Sequence, residues 1–293
     1  MRVLITGASG LIGGALARAL LARGDEVVGV SRRPAGRGGG IRWFGWDELP
    51  RALAGMDAAV HLAGAPIGLW RWTSARKREL RASRIDTAAR LAAAIAAGAA
   101  GGGPRVLISA SAVGYYGGRG DEELTESSTP GAGFLAQLCR DWERAASGAG
   151  VRTVLVRCGV VLTPRGDPLR LMLWPFRLGL GGPLAGGRQW FPWVHLDDCV
   201  GVYLHALDHA AVEGPLNAVA PEPAINGDFT RALARTLHRP AFVPVPGWAL
   251  RLALREAASV ITGSQRVRPR RTQELGYAFR HPAIDEALRD LLA

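Results

Sequence analysis

Near its start the chain reads Thr6-Gly7-Ala8-Ser9-Gly10-Leu11-Ile12-Gly13, a turn whose glycines recur every third residue. Each glycine answers a different need. Gly7 permits a tight turn. Gly10 lets the backbone approach a pyrophosphate without a Cβ in the way, and Gly13 lets the following helix pack close to a sheet. The open amides at that helix start then meet negative charge. Gly7, Ser9, Gly10, Leu11, Ile12 and Gly13 are therefore candidate dinucleotide contacts. Further on comes Val30-Ser31-Arg32-Arg33-Pro34. An NAD-selective site places Asp or Glu there to accept hydrogen bonds from ribose hydroxyls. Arg32 and Arg33 instead suit a 2′-phosphate, which a guanidinium binds through paired hydrogen bonds, so the expected cofactor is NADP(H).

The elements that must hold this turn are legible as alternation. Residues 2–6 form a short apolar run read as a buried strand, 11–23 carry apolar residues at helical spacing, and 26–31 form a second strand. That is a βαβ unit with a parallel pair. Strands at 58–62, 105–109 and 151–157 follow, with helices over 73–98 and 131–148. Gly101-Gly102-Gly103-Pro104 makes a loop. The pattern predicts an α/β fold: a Rossmann-type doubly wound parallel sheet with a small C-terminal α/β substrate lobe. Residues 1–160 would form the NADP(H)-binding core. Residues 161–293 would be a mixed segment that completes the sheet and forms the lobe. There Pro164, Pro168, Pro175, Pro183 and Pro192 interrupt the pattern, and helices are expected over 226–239, 247–262 and 282–293.

With 293 residues, 48% of them hydrophobic, the chain can bury a core without disulfide staples. No apolar run reaches the ~18 residues of a membrane span, and the start lacks a signal-peptide pattern. Cys139, Cys158 and Cys199 are odd in number and lack metal spacing, which points to reduced thiols, a cytoplasmic protein and no metal. Net charge is +11, yet every basic residue but Lys77 is Arg, and they are scattered. The densest stretch, Arg71–Arg84, reads as a solvated basic face rather than a nucleic-acid surface.

The Gly-x-x-Gly-x-x-Gly spacing resembles the extended and atypical branches of the short-chain dehydrogenase/reductase superfamily. His61-Leu62-Ala63-Gly64 resembles the strand end that lines the adenine side of the cofactor. Ile108-Ser109-Ala110-Ser111 resembles the strand that carries a catalytic serine, here Ser111. Arg157-Cys158-Gly159 resembles the segment beside the nicotinamide. Arg71-Trp72-Thr73, Phe134-Leu135 with Trp142-Glu143, Gly181-Gly182-Pro183-Leu184, Gln265-Arg266-Val267-Arg268-Pro269 and Gly276-Tyr277-Ala278-Phe279 extend the match along nearly the whole chain. Together they resemble the atypical NAD-dependent epimerase/dehydratase-like proteins that carry a DUF1731-type C-terminal region, here about 247–293. The resemblance implies a Rossmann-type fold and NADP(H) binding, with Leu62, Ala63, Gly64, Ser109 and Cys158 as further cofactor contacts.

The resemblance also exposes a departure. Working members of the superfamily use Tyr-x-x-x-Lys as acid/base and cation, and with Lys77 as its single lysine this chain has no such dyad. Two registers place the missing pair at Phe134 and Leu138, or at Leu135 and Cys139. If the chain is catalytic, Tyr115 or Tyr116, just after Ser111 at the edge where Rossmann-type sites open, could donate the proton; the alternative is that one packs and the other lines the pocket. His195, followed by Asp197-Asp198, is a second titratable candidate, but the structural reading is the preferred one because the matching segment is mainly structural in the extended relatives it resembles. Trp70, Trp72, Trp190 and Trp193 either wall an apolar pocket or sit in the core. Two functions fit: an NADP(H)-dependent oxidoreductase on an unidentified carbonyl or hydroxyl small molecule, or a non-catalytic NADP(H)-sensing protein. A homodimer through neighbouring helices suits either.

Overall fold

The computed structural model describes residues 1–35, 38–68, 71–98 and 102–293. Its centre is a seven-stranded sheet: β1 (Arg2–Thr6), β2 (Glu26–Val30), β3 (Arg42–Phe44), β4 (Ala58–His61), β5 (Val106–Ala112), β6 (Arg152–Cys158) and β7 (Gly214–Ala218). The order is β7-β6-β5-β4-β1-β2-β3, and every pairing is parallel. Strand order reverses beside β1, where the glycine turn leaves the sheet, and that is where an open α/β sheet binds its ligand. The seventh strand comes from beyond residue 160, so the second half of the chain is built into the first half's sheet.

Strand alternation sorts the core into two layers. Val3 and Ile5 face helices α1 (Leu11–Ala22) and α6 (Leu196–Asp208), packing on Leu16, Leu20, Val202 and Tyr203. Leu4 points the other way, into a layer with Leu91, Ile95, Trp142 and Ala146. That second layer is supplied by helices α3 (Thr87–Gly98) and α4 (Phe134–Ser147). The expected helix over 73–98 exists but is not uniform. Helix α2 (Ser74–Arg81) passes through a five-residue π-helical turn, Ala82–Asp86, into α3.

The prolines after residue 160 do not abolish helix. Helix α5 (Asp167–Arg177) holds Pro168 in its first turn, where no amide bond is lost, and Pro175 near its end. With α7 (Asn226–Leu237) and α9 (Ile284–Leu292) it encloses the lobe's own core of Leu169, Phe176, Trp193, Phe229 and Leu288. The span expected as one helix over 247–262 breaks after α8 (Gly247–Leu254), where Arg255 takes φ +53°. Among the described residues no helix is long and apolar enough to cross a membrane.

Buried carboxylates clamp the C-terminal segment onto the sheet. Glu126 accepts from the amides of Asn217, Arg271 and Thr272 and from the Thr272 hydroxyl. Asp198 accepts from the Arg280 and His281 amides at 2.8 and 2.9 Å and from the Tyr277 hydroxyl at 3.0 Å. Both acids are almost wholly buried, so losing either would strand several donors away from water. Asp198→Ala should therefore lower stability by about 2 kcal/mol or more, read as a shifted urea midpoint. A midpoint unchanged from wild type would show that this clamp carries no stability.

Candidate functional site

The glycine turn has the geometry its spacing predicts. Gly7 sits at φ +75°, and a Cβ there would lie 2.7 Å from the Leu62 carbonyl. A Cβ on Gly13 would lie 2.3 Å from the Gly7 oxygen. The turn therefore presses against both the β4 exit and its own helix, and neither position tolerates a side chain. Helix α1 begins at Gly10 with no side-chain cap and no acid in its first turn. Its first amides and its dipole are left for an outside anion. Ser9, Gly10 and Leu11 are exposed at this mouth, while Ile12 turns toward the core.

A hydrogen-bond chain ties this turn to the π-helical turn two elements away. The Thr6 hydroxyl accepts from the Leu62 and Ala63 amides, so its own proton goes to His61 Nδ1 at 2.7 Å. His61 is then the Nε2–H tautomer. The Thr87 hydroxyl donates to the Ser83 carbonyl at 2.7 Å and lies 3.4 Å from Nε2, placed to accept from it. Total burial holds His61 neutral, its pKa pushed down to about 4. Ser83 receives the Ala65 amide, and the Trp72 indole donates to the Ile67 carbonyl, which pins the loop leaving β4.

The π turn delivers Arg84. Its side chain is nine-tenths buried, and its guanidinium carbon lies 3.3 Å from where a Cβ on Gly64 would be. Gly64 itself is exposed at the carboxyl edge of the sheet. The guanidinium packs over the Trp142 ring at 5.4 Å. Among the described residues only its Nη1 finds acceptors, the Leu80 carbonyl and Ser83 hydroxyl, both at 3.4 Å. Burial, with the nearby Arg76 charge, pulls its pKa down to about 10, so it stays charged at neutral pH.

Ser111 belongs to a different network. Its hydroxyl donates to Glu143 at 2.6 Å. Glu143 pairs with Arg157 through two bonds of 2.8 and 2.9 Å. Arg157 also donates to the Tyr116 hydroxyl and the Glu126 carbonyl, and Tyr116 donates to Asn217 at 2.7 Å. These side chains are buried, and burial pushes Tyr116 up to about 12. Ser111 and Tyr116, both expected at the reacting edge, are thus committed to the frame that holds β5, β6, β7 and α4 together. Tyr115 differs. It is half-buried, its ring lies 3.5 Å from the Arg157 guanidinium, and its hydroxyl meets no hydrogen-bond partner among the described residues.

The residues of the two dyad registers lie on different parts of α4. Leu135 and Cys139 face the β5 exit, 3.3 and 3.6 Å from a Cβ built on Gly114, while Leu138 packs beside Trp72 and Leu80. The Cys139 thiol adjoins Ser111, and burial pushes it up to about 12.

Other candidates fall elsewhere. Cys158 ends β6 at the correct edge, but its sulfur points into the α1/α6 layer, 3.9 Å from Cys199 and 3.5 Å from the Tyr203 hydroxyl. Strand parity carries that signal, since Val154 and Val156 face the same layer. Ser109 is wholly buried and donates to the Ala110 carbonyl. His195 caps α6, its Nδ1 accepting from the Asp197 amide, and burial lowers its pKa. Trp72 and Trp193 are core residues, Trp190 donates to Asp121, and Trp70 lies outside the described residues. Arg32 and Arg33 are exposed just past β2, beside the mouth of the turn. Within the basic stretch, Arg76 pairs with Glu79, Lys77 with Glu256 and Arg81 with Asp141.

Comparison with known proteins agrees with this geometry. The profile of the NAD dependent epimerase/dehydratase family matches residues 3–218, and that of a domain of unknown function (DUF1731) matches residues 245–291. The chain is 42% identical over 301 residues to the epimerase family protein SDR39U1 of Bos taurus, covering 100% of both chains. It superimposes on the crystal structure of human epimerase family protein SDR39U1 (isoform2) with NADPH at TM-score 0.93 and 40% identity, covering 100% of this chain and 99% of that one. The nucleoside-diphosphate sugar epimerase from Corynebacterium glutamicum matches at TM-score 0.79 and 36% identity, over 100% of this chain and 58% of that one.

The neutral His61 gives the site a pH signature. The unfolded chain binds a proton near pH 6.5 that the folded chain refuses until about 4. This stability is complete above 6.5 and is lost as pH falls through that window, by roughly 3 kcal/mol at the acid end. Urea unfolding across the window should lose about one proton's worth of slope in His61→Asn. A slope identical in the two proteins would contradict a buried neutral imidazole.

Proposed function

Because the chain belongs to the NAD dependent epimerase/dehydratase family, we propose that it binds NADP(H) along the carboxyl edge of its sheet and acts as an oxidoreductase on a small carbonyl or hydroxyl compound. The observation that carries the cofactor reading is the cradle itself. The backbone is bare where a Cβ on Gly7 or Gly13 would collide, and the helix start behind it has neither cap nor acid. The glycine turn and the first amides of α1 would hold the pyrophosphate. Arg32 and Arg33, in the place where an NAD site needs an acid, would hold the 2′-phosphate. The human relative solved with NADPH supports the same choice. Three buried, unpaired thiols support a reducing, cytoplasmic setting.

Bound NADPH supplies a hydride. A carbonyl that receives it at carbon also needs a proton at oxygen. Ser111 already donates to Glu143, and Tyr116 is sealed against Asn217 and Arg157. The proton source in this reading is Tyr115, which has the exposure and the uncommitted hydroxyl for it. One observation favours the non-catalytic alternative: the helix face that meets the β5 exit at Gly114 presents Leu135 and Cys139, which offer neither a ready proton donor nor a cation. Hydride transfer separates the two readings, since a sensing module would hold NADPH and never oxidise it above background.

Two outcomes test this. In fluorescence titrations, Arg32→Ala/Arg33→Ala should bind NADPH about tenfold or more weakly than wild type and bind NADH unchanged. An NADPH preference that survives the double substitution would remove the assignment. Against a panel of carbonyl compounds, Tyr115→Phe should slow NADPH oxidation about 10²-fold at unchanged NADPH affinity. Equal rates in wild type and variant would exclude Tyr115 as the acid, and no oxidation by wild type would favour the sensing reading.

A further inference from the structure

Arg84 is a largely buried guanidinium that packs on Trp142 and, among the described residues, bonds only to its own helical segment. Among the described residues it has no carboxylate partner, and its Nε and Nη2 donors meet no protein acceptor but are not sealed off from the site's opening. A charge buried without a partner costs stability and is normally paired or neutralised. This one is instead held in place with care. It rides on a π-helical turn, a feature that recurs at functional sites, and that turn is held by the Thr6–His61–Thr87 chain and by the bond from the Ala65 amide of the β4 exit loop to Ser83. The side chain runs along Gly64, where any Cβ would crowd it at 3.3 Å, so the edge of the sheet is left bare for it.

Position identifies what it awaits. In the sheet order β5-β4-β1-β2, the glycine turn follows β1, and Arg32 with Arg33 follow β2. A dinucleotide whose pyrophosphate lies on the turn and whose 2′-phosphorylated half reaches toward β2 must send its other half toward β4 and β5. Arg84 lies there, between Gly64 and Cys139, and its charge acts on the Cys139 thiol. From this placement, and resting on the NADP(H) reading above, we infer that Arg84 replaces the absent lysine. Its open donors hydrogen-bond the hydroxyls of the nicotinamide-side ribose. It is a positioning cation and carries no proton, because a guanidinium does not give one up near neutrality. His61, Thr87 and Ser83 serve it by holding the π turn.

The experiment compares wild type with Arg84→Met and Arg84→Lys, using tryptophan fluorescence to titrate NADPH and the fragment 2′,5′-ADP, which lacks the nicotinamide half. Thermal melting of the nucleotide-free proteins monitors the fold. Arg84→Met should melt at or above the wild-type temperature, since an unpaired buried charge is gone, and should bind NADPH at least tenfold more weakly. Its affinity for 2′,5′-ADP should be unchanged. Arg84→Lys should recover part of the lost NADPH affinity. NADPH affinity within twofold of wild type in Arg84→Met would overturn the inference. So would an equal loss for NADPH and the fragment, or a melting temperature well below wild type, either of which marks a structural arginine. If wild type itself bound neither nucleotide, the NADP(H) reading would fail, and this inference with it.

Discussion

The carboxylate of Glu143 and the guanidinium of Arg157 meet in a two-bond pair, out of contact with water, between α4 and β6. Such a pair repays its desolvation only when the remaining donors and lone pairs are also satisfied. Here they are, and satisfying them organises the carboxyl edge. Ser111 on β5 gives its proton to Glu143, and Arg157 binds the Tyr116 hydroxyl and the Glu126 carbonyl. Tyr116 reaches Asn217 on β7, and Glu126 gathers the amides that anchor the C-terminal segment. One ion pair thereby fixes three strands and a helix, and through Glu126 it is tied to the clamp on the C-terminal segment at Arg271 and Thr272. The cost is chemical. Two hydroxyls that sequence would place at a reacting centre are used to hold the frame.

Beside this satisfied network stands its opposite. Arg84 is also largely buried and among the described residues has no acid partner, while the glycine turn and the start of α1 are positive and uncapped. Two electropositive features at one sheet edge, with exposed arginines past β2, form a surface that a polyanionic ligand completes. The rigid part of the site and the receptive part are thus separate. Thr6 and His61 join them, linking the β1 and β4 exits to the π turn.

How much of this was legible in the sequence depended on how local each cause is. The glycine spacing was readable because Gly7 needs its positive φ and Gly13 its missing Cβ whatever the rest of the chain does. The alternation of strand and helix was readable for the same reason. Helix α5 was not, because prolines read as breakers unless their place in the first or last turn is known. The π turn was hidden because the contacts that hold it come from His61 to Thr87 and from Ala65 to Ser83, both distant in sequence. Glu143 and Arg157 look like ordinary surface charges in the sequence, and only the packing of α4 on β6 pairs them. The sulfur of Cys158 is a different case. Its parity with Val154 and Val156 placed it in the core, and the family resemblance outweighed that period-two signal.

The claim at the centre of this account is that the edge binds a dinucleotide by its extra phosphate as well as by its pyrophosphate. Phosphorus NMR of NADPH added to the wild-type protein tests it directly, because the 2′-phosphate and the pyrophosphate give separate resonances. Both should move on binding, and the 2′-phosphate should titrate below its free value of about 6, since flanking guanidinium groups favour its dianion. A 2′-phosphate resonance that kept its free position and midpoint while the pyrophosphate moved would contradict the account, and would mark an NAD-type site despite Arg32 and Arg33.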